Sequence, residues 1–183
     1  MVYISGGNEL INPQEVFKHL ELKPGEKVAD LGCGGAGHFV IPAGHQVGPQ
    51  SIVYAVDILK SVLQSVMSRA RLEGLANVKP VWTNLEIVGA TKIPAESLDA
   101  AFLINILFQS KQHDNIFQEA IRLLKKDGRL LVIDWQAGGG TFGPPAVDRV
   151  KPATVKAIAQ KLRLTLVEEF AAGTYHYGLI FSK

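Results

Sequence analysis

One cysteine, Cys33, stands in 183 residues. It cannot form an internal disulfide, and it cannot build a thiolate metal centre. Surplus charge is missing as well: 19 Lys and Arg against 17 Asp and Glu leave +2. That balance supplies no basic field from which to argue a nucleic-acid partner, and Lys151, Lys156 and Lys161, five apart, fan around their helix instead of forming a stripe. Long hydrophobic runs are absent, since stretches such as Ala100–Leu107 fall far below the roughly 20 residues that cross a bilayer. The opening Met1–Gly7 is short and uncharged, unlike a secretory signal. No membrane span and a cytoplasmic location are therefore the expectation. No two histidines share a ligand spacing and acidic clusters are lacking, so no metal is expected. What is present is ordinary globular material, 47% hydrophobic and 20% charged, enough to bury a core. Residues 1–183 are expected to form a single domain, with 1–25 as an N-terminal helical segment.

Strand-length apolar runs alternate with segments of helical period. Asn12-Pro13-Gln14-Glu15 opens a first helix, with Asn12 as cap and Pro13 in the first turn, and the helix ends near Leu20. Strands are predicted over Lys27–Leu31, Ser51–Val56, Val78–Thr83, Leu98–Ile104 and Arg129–Asp134. Between them, Leu59, Val62, Leu63, Val66, Met67 and Ala70 line one face of a helix that Gly74 stops. Asp114–Lys126 forms another, with Lys125-Lys126 suited to its negative end. A helix over Ala153–Arg163 precedes two β-runs, Leu164–Phe170 and His176–Ser182. Only Ala171–Tyr175 separates that last pair, too few residues for a crossover helix, so the final strand must run antiparallel. The expected fold is a doubly wound, Rossmann-like α/β domain with a mostly parallel seven-stranded sheet.

Asp30-Leu31-Gly32-Cys33-Gly34-Gly35-Ala36-Gly37 carries the spacing Gly-x-Gly-x-x-Gly directly after the first strand, and Asp57 closes the second strand 25 residues beyond Gly32. Glycines there let the backbone turn tightly and a ligand approach without a Cβ in the way. A carboxylate such as Asp57 can accept hydrogen bonds from both ribose hydroxyls of an adenosine. Two ligand classes fit: nicotinamide or flavin dinucleotides, and S-adenosylmethionine. Charge separates them. A dinucleotide lays a pyrophosphate over the loop, where Asp30 would repel it; S-adenosylmethionine brings an ammonium and a sulfonium, which Asp30 attracts.

Val28–Gly37 resembles the first motif of class I S-adenosylmethionine-dependent methyltransferases, and Tyr54-Ala55-Val56-Asp57 resembles their acidic second strand. Leu124-Lys125-Lys126-Asp127-Gly128-Arg129-Leu130 is similar to the helix-to-fifth-strand turn of the ubiquinone/menaquinone-type branch. The resemblance runs from about Leu10 to Lys183. It implies that Asp30 and the loop containing Gly32, Cys33, Gly34 and Gly37 hold the methionine portion of S-adenosyl-L-methionine. It further implies that Asp57, with Ile58 beside it, binds ribose, that Asn84 and Leu85 flank adenine, and that Asn105 lies at the mouth. The family tetrad Asn/Asp-Pro-Pro-aromatic is replaced here by Asn105-Ile106-Leu107-Phe108, which argues against methylation of exocyclic or amide nitrogens.

Methyl transfer is an in-line displacement, and a base is needed only when the attacking atom must lose a proton. His113 follows the fourth strand and is the candidate base or substrate contact; its alternative is a solvated loop position near a helix start. His38, next to the glycine loop, either touches the cofactor or faces solvent. His176, between Tyr175 and Tyr177, reads as packing. Trp135 at the end of the fifth strand walls a substrate pocket or is half-buried. Ala137–Pro145 reads as a mobile substrate-side loop or a plain connector, with Phe142 covering an apolar acceptor and Arg149 pairing with an anionic one. Tyr3–Asn8 either folds over the cofactor or is disordered. The expected activity is methyl transfer to a small or lipid-like molecule, with RNA or protein substrates and a non-catalytic binding role as alternatives. A short region after the fifth strand leaves the site open, or completed by a partner or by a second subunit in a homodimer.

Overall fold

A computed structural model describes residues 7–138 and 142–183. Its seven strands form one sheet in the order β3-β2-β1-β4-β5-β7-β6. They are β1 (Val28–Leu31), β2 (Val53–Asp57), β3 (Val78–Trp82), β4 (Leu98–Ile104), β5 (Leu124–Trp135), β6 (Thr165–Ala171) and β7 (His176–Ser182). β7 runs antiparallel to both β5 and β6, and every other pairing is parallel. The short connection after β6 therefore produces the hairpin its length requires. The central strands are mostly buried, β1 along its whole length, because helices cover both faces of the sheet.

On one face lie α1 (Pro13–Leu20), α2 (Val40–Val47) and α3 (Lys60–Leu72), which pack Phe17, Leu20, Ile41, Leu63 and Val66 against Val28, Val53 and Phe102. On the other, α4 (His113–Leu123) and α5 (Pro152–Lys161) place Ile116, Phe117, Val155 and Ala159 against Leu31, Leu103 and Val132. Asn12 caps α1 as its position predicts, its side-chain oxygen accepting from the amides of Gln14 and Glu15. Pro42 sits in the first turn of α2, where an amide hydrogen is dispensable.

One boundary differs from the sequence expectation by more than two residues. Lys125 and Lys126 belong to β5, not to the end of α4, which stops at Leu123. Leu124 turns extended (φ −71°, ψ 139°) and pairs with Leu98, and the register shifts before Ala100 meets Arg129. Lys125 is spoken for by an ion pair, its Nζ 2.6 Å from Asp99 on the neighbouring strand. Sheet pairing of a fully buried leucine outweighs a favourable dipole contact at an exposed helix end.

Candidate functional site

The parallel strands end at one edge of the sheet, where the loops after β1, β2, β3 and β4 surround a cavity of about 560 Å³, within the range of small-molecule sites. Eight residues expected there do line it: Gly32, Cys33, Gly34, Asp57, Ile58, Asn84, Leu85 and Asn105. The amides of Gly32 and Cys33 donate back to Val56 at 2.8 and 3.0 Å, which turns the loop across the end of β2. Gly32 has φ +90°, and a Cβ there would come within 2.5 Å of Ile106. At Gly34 and Gly35 an added Cβ would meet nothing within 4 Å, so the loop borders open space. Gly37 does not line the cavity. Its role is backbone, with φ +58° and ordinary contact with Val66 and Ile41 where the chain enters α2.

Two carboxylates stand behind this loop. Asp57 accepts from the Gly34 amide at 3.3 Å and from the Leu59 amide at 2.9 Å, so it ties the glycine loop to the start of α3 while each oxygen keeps a free lone pair. Asp30 is buried at the end of β1 and does not line the cavity. Its Oδ2 has no hydrogen-bond partner among the described residues. Burial, reinforced by the charge of Asp57, pushes the Asp30 carboxyl up to about 7. Burial and then the same two acids also raise the Cys33 thiol, which keeps it protonated and inert. An orphaned buried carboxyl beside an open glycine cradle fits a ligand that carries positive charge. Among the described residues no lysine or arginine lines the cavity, so the surroundings do not fit a pyrophosphate.

The other half of the edge, over β5 and β7, departs from expectation. Trp135 is fully buried and does not wall the cavity. Its ring lies 4.2 Å from that of His176, its strand partner, and a Cβ on Gly7 or Gly143 would overlap it. Arg149 is buried and donates to the carbonyls of Pro144, Gln136 and Phe142, so its guanidinium ties the loop instead of pairing with an anion. Phe142 is 60% exposed and stacks on Tyr175 at 5.5 Å, away from the cavity. Gly139–Thr141 lie outside the described residues. His113 opens α4 with Nε2 2.9 Å from the Leu107 carbonyl and does not line the cavity. The ring is thereby bonded to the carbonyl of a buried residue in a 3-10 turn.

Glu9, Glu86 and Ser110 line the cavity without having been anticipated, whereas Asn105 and the Gly7–Asn8 end of the N-terminal segment were expected there. Asn105 adopts φ +54°, which turns the chain sharply at the end of β4. Its side-chain amide donates to Asn8 Oδ1 at 2.8 Å, and its carbonyl accepts from Gln109 Nε2 at 2.7 Å. Gly7, Asn8 and Glu9 thereby reach the cavity from the N-terminal side; Tyr3–Gly6, expected to share that task, lie outside the described residues. Glu86 and Ser110 line it and bond each other at 2.6 Å. Their signal in the sequence was only nearness to a strand's carboxyl end.

A family model described as a methyltransferase domain matches residues 22–170. The chain belongs to the methyltransferase domain family. Its seven-stranded sheet has the fold of a solved S-adenosylmethionine-dependent methyltransferase. The ubiquinone/menaquinone biosynthesis C-methyltransferase of Pasteurella multocida is 32% identical over 115 residues, which are 62% of this chain and 41% of that protein. The botryococcene C-methyltransferase of Botryococcus braunii is 28% identical over 70% of this chain and 32% of its own length. A solved S-adenosylmethionine-dependent methyltransferase from Aquifex aeolicus superposes with a TM-score of 0.87 at 24% identity, covering 97% of this chain and 92% of that one. The chain spans between about a third and a half of the length of the curated relatives it matches. No helix among the described residues is long and apolar enough to cross a membrane.

Proposed function

We propose that this chain transfers a methyl group from S-adenosylmethionine to a small or lipid-like acceptor. The observation that carries the reading is the charge of the cavity: a glycine cradle backed by Asp30 and Asp57, with acids and no lysine or arginine among its described lining residues. Asp57 would hold the ribose hydroxyls, for which its oxygens keep lone pairs. The backbone of Gly32–Gly34 and the Asp30 carboxyl would hold the methionine end, Asn84 and Leu85 would flank adenine with Ile58 at its side, and Asn105 would border the methyl. When bound, the cofactor supplies an electrophilic methyl on a cationic sulfur. The chain's own residues hold the reactants in line and exclude water, effects worth several kcal/mol of barrier. Relatives named for ubiquinone/menaquinone biosynthesis and for botryococcene support a small or lipid-like acceptor. A cytoplasmic setting, and a second subunit closing the open side, are parts of the same proposal.

Titration calorimetry with S-adenosylmethionine, S-adenosylhomocysteine and NAD tests the cofactor, and transfer of radiolabelled methyl to a panel of phenols, quinols, prenyl compounds and amines tests the acceptor. Binding of both sulfur compounds and not of NAD is the expected result. Uptake of NAD with indifference to the sulfonium compound would overturn it.

A further inference from the structure

Four of the five histidines are occupied elsewhere. His19 pairs with Glu168 at 2.7 Å and stacks on Phe170, and His45 pairs with Glu73 at 3.0 Å. His113 is held on the Leu107 carbonyl. His176 is sealed beneath Trp135, and burial, aided by the positive charge of Arg149, lowers it to about 4. His38 alone lines the cavity. It directly follows the glycine loop, between Gly37 and the first residues of α2.

Its ring is anchored in a way that decides its chemistry. Nε2 lies 2.8 Å from the Ile11 carbonyl oxygen. A carbonyl can only accept, so Nε2 carries the hydrogen and the neutral ring leaves its lone pair on Nδ1. Nδ1 makes no hydrogen bond among the described residues. An edge-on contact with Phe39, 5.3 Å between centroids, holds the ring from a second side. Histidine is the side chain whose ordinary titration lies nearest neutrality, which suits a base for a weakly acidic proton. The competing acids are engaged or exposed: Asp57 accepts two amides, Glu86 accepts the Ser110 hydroxyl, and Glu9 is exposed.

We infer that His38 is the catalytic base of this site, its Nδ1 accepting the proton that an O–H, N–H or acidic C–H acceptor loses as it is methylated. The inference rests on the proposed cofactor. In the step, the acceptor's bond to hydrogen breaks and its electron pair forms the bond to the methyl carbon. The carbon–sulfur bond breaks with its pair left on sulfur, and the proton held on Nδ1 passes to water as the product leaves. The Ile11 carbonyl positions the ring and favours the imidazolium that forms.

The test compares two ligands that differ by one methyl and one charge. Imidazole nitrogen resonances of the full chain are titrated with pH, once saturated with S-adenosylhomocysteine and once with S-adenosylmethionine, with His38→Gln to assign the signal. Glu9, Asp57 and Glu86 on the cavity side, and His45, Arg69 and Glu73 around the second cavity that His38 borders, are common to both complexes and cancel. The expected result is an Nε2–H tautomer for neutral His38 and a midpoint lower by about half a pH unit or more beside the sulfonium, the size of a unit charge a few ångströms away. His19, His45 and His113 should not move. Equal midpoints in two complexes that both shift the Gly34 and Asp57 amides would overturn the assignment of His38 alone, as would an Nδ1–H tautomer. Loop amides that respond to neither compound would overturn the cofactor reading and this inference with it.

Discussion

The carboxyl edge of this sheet has two halves built to opposite designs. Over β1, β2 and β4 the chain spends glycines and carboxylates, and the result is open space bordered by Gly34, Gly35 and Asp57. Over β5 and β7 it spends its largest side chain, and Trp135 with His176 occupies the equivalent position as buried, mutually tilted rings. The two halves meet at Gly7, whose backbone lines the cavity on one side and presses against the Trp135 ring on the other. A switch-point crevice is therefore half of an edge here. At such an edge the open half leaves room for a ligand and the sealed half leaves none.

The contrast can be broken from either side. Trp135→Ala should cost the most, about 3–5 kcal/mol of unfolding free energy, because it empties the sealed half; urea denaturation reads the loss, and calorimetric affinity for S-adenosylhomocysteine should change little. A comparable loss of affinity would mean that Trp135 belongs to the site after all. Asp30→Asn should remove a slope from the stability curve. With its folded value raised to about 7, the native carboxyl binds its proton more tightly than the unfolded one. That stability is fully present below pH 4 and is lost as pH rises through about 7. Denaturation between pH 5 and 8 should show wild type losing more than about 1 kcal/mol relative to the variant, and parallel curves would contradict the burial argument.

Smaller effects sharpen the division. Asp57→Ala should weaken S-adenosylmethionine by about 1–3 kcal/mol through lost hydrogen bonds, with unchanged calorimetric affinity counting against a ribose contact. His113→Ala should cost about 1 kcal/mol of stability, the value of its bond to the Leu107 carbonyl, and leave methyl transfer intact. A collapse in turnover with normal melting would return that ring to the chemistry.

Local chemistry in the chain was readable wherever neighbours in sequence are neighbours in space. The Asn12 cap, the strand followed by its glycine loop, the acid at the end of β2 and the hairpin too short for a helix all belong to this class. They rest on φ values, capping geometry and connection length, which a few residues settle among themselves. The bond of His113 to the Leu107 carbonyl was not legible, because loop position says where a backbone runs and not which carbonyl a side chain meets. The burial of Arg149 and Trp135 was not legible for a related reason: a polar tip or an aromatic at a strand end is equally suited to face a ligand or to fill a gap between elements.

The succession of strands and helices, the antiparallel last strand and the acids beside the glycine loop were thus already legible in the residues, because hydrophobic period, glycine spacing and the sign of charge act over short range. Which further side chains border the crevice, and what holds them there, was settled only by packing. Asn105 meets Asn8 across 97 positions, and His38 meets the carbonyl of Ile11 across 27. Such long-range contacts depend on how two helices and a sheet come together, and no pattern within either segment encodes them.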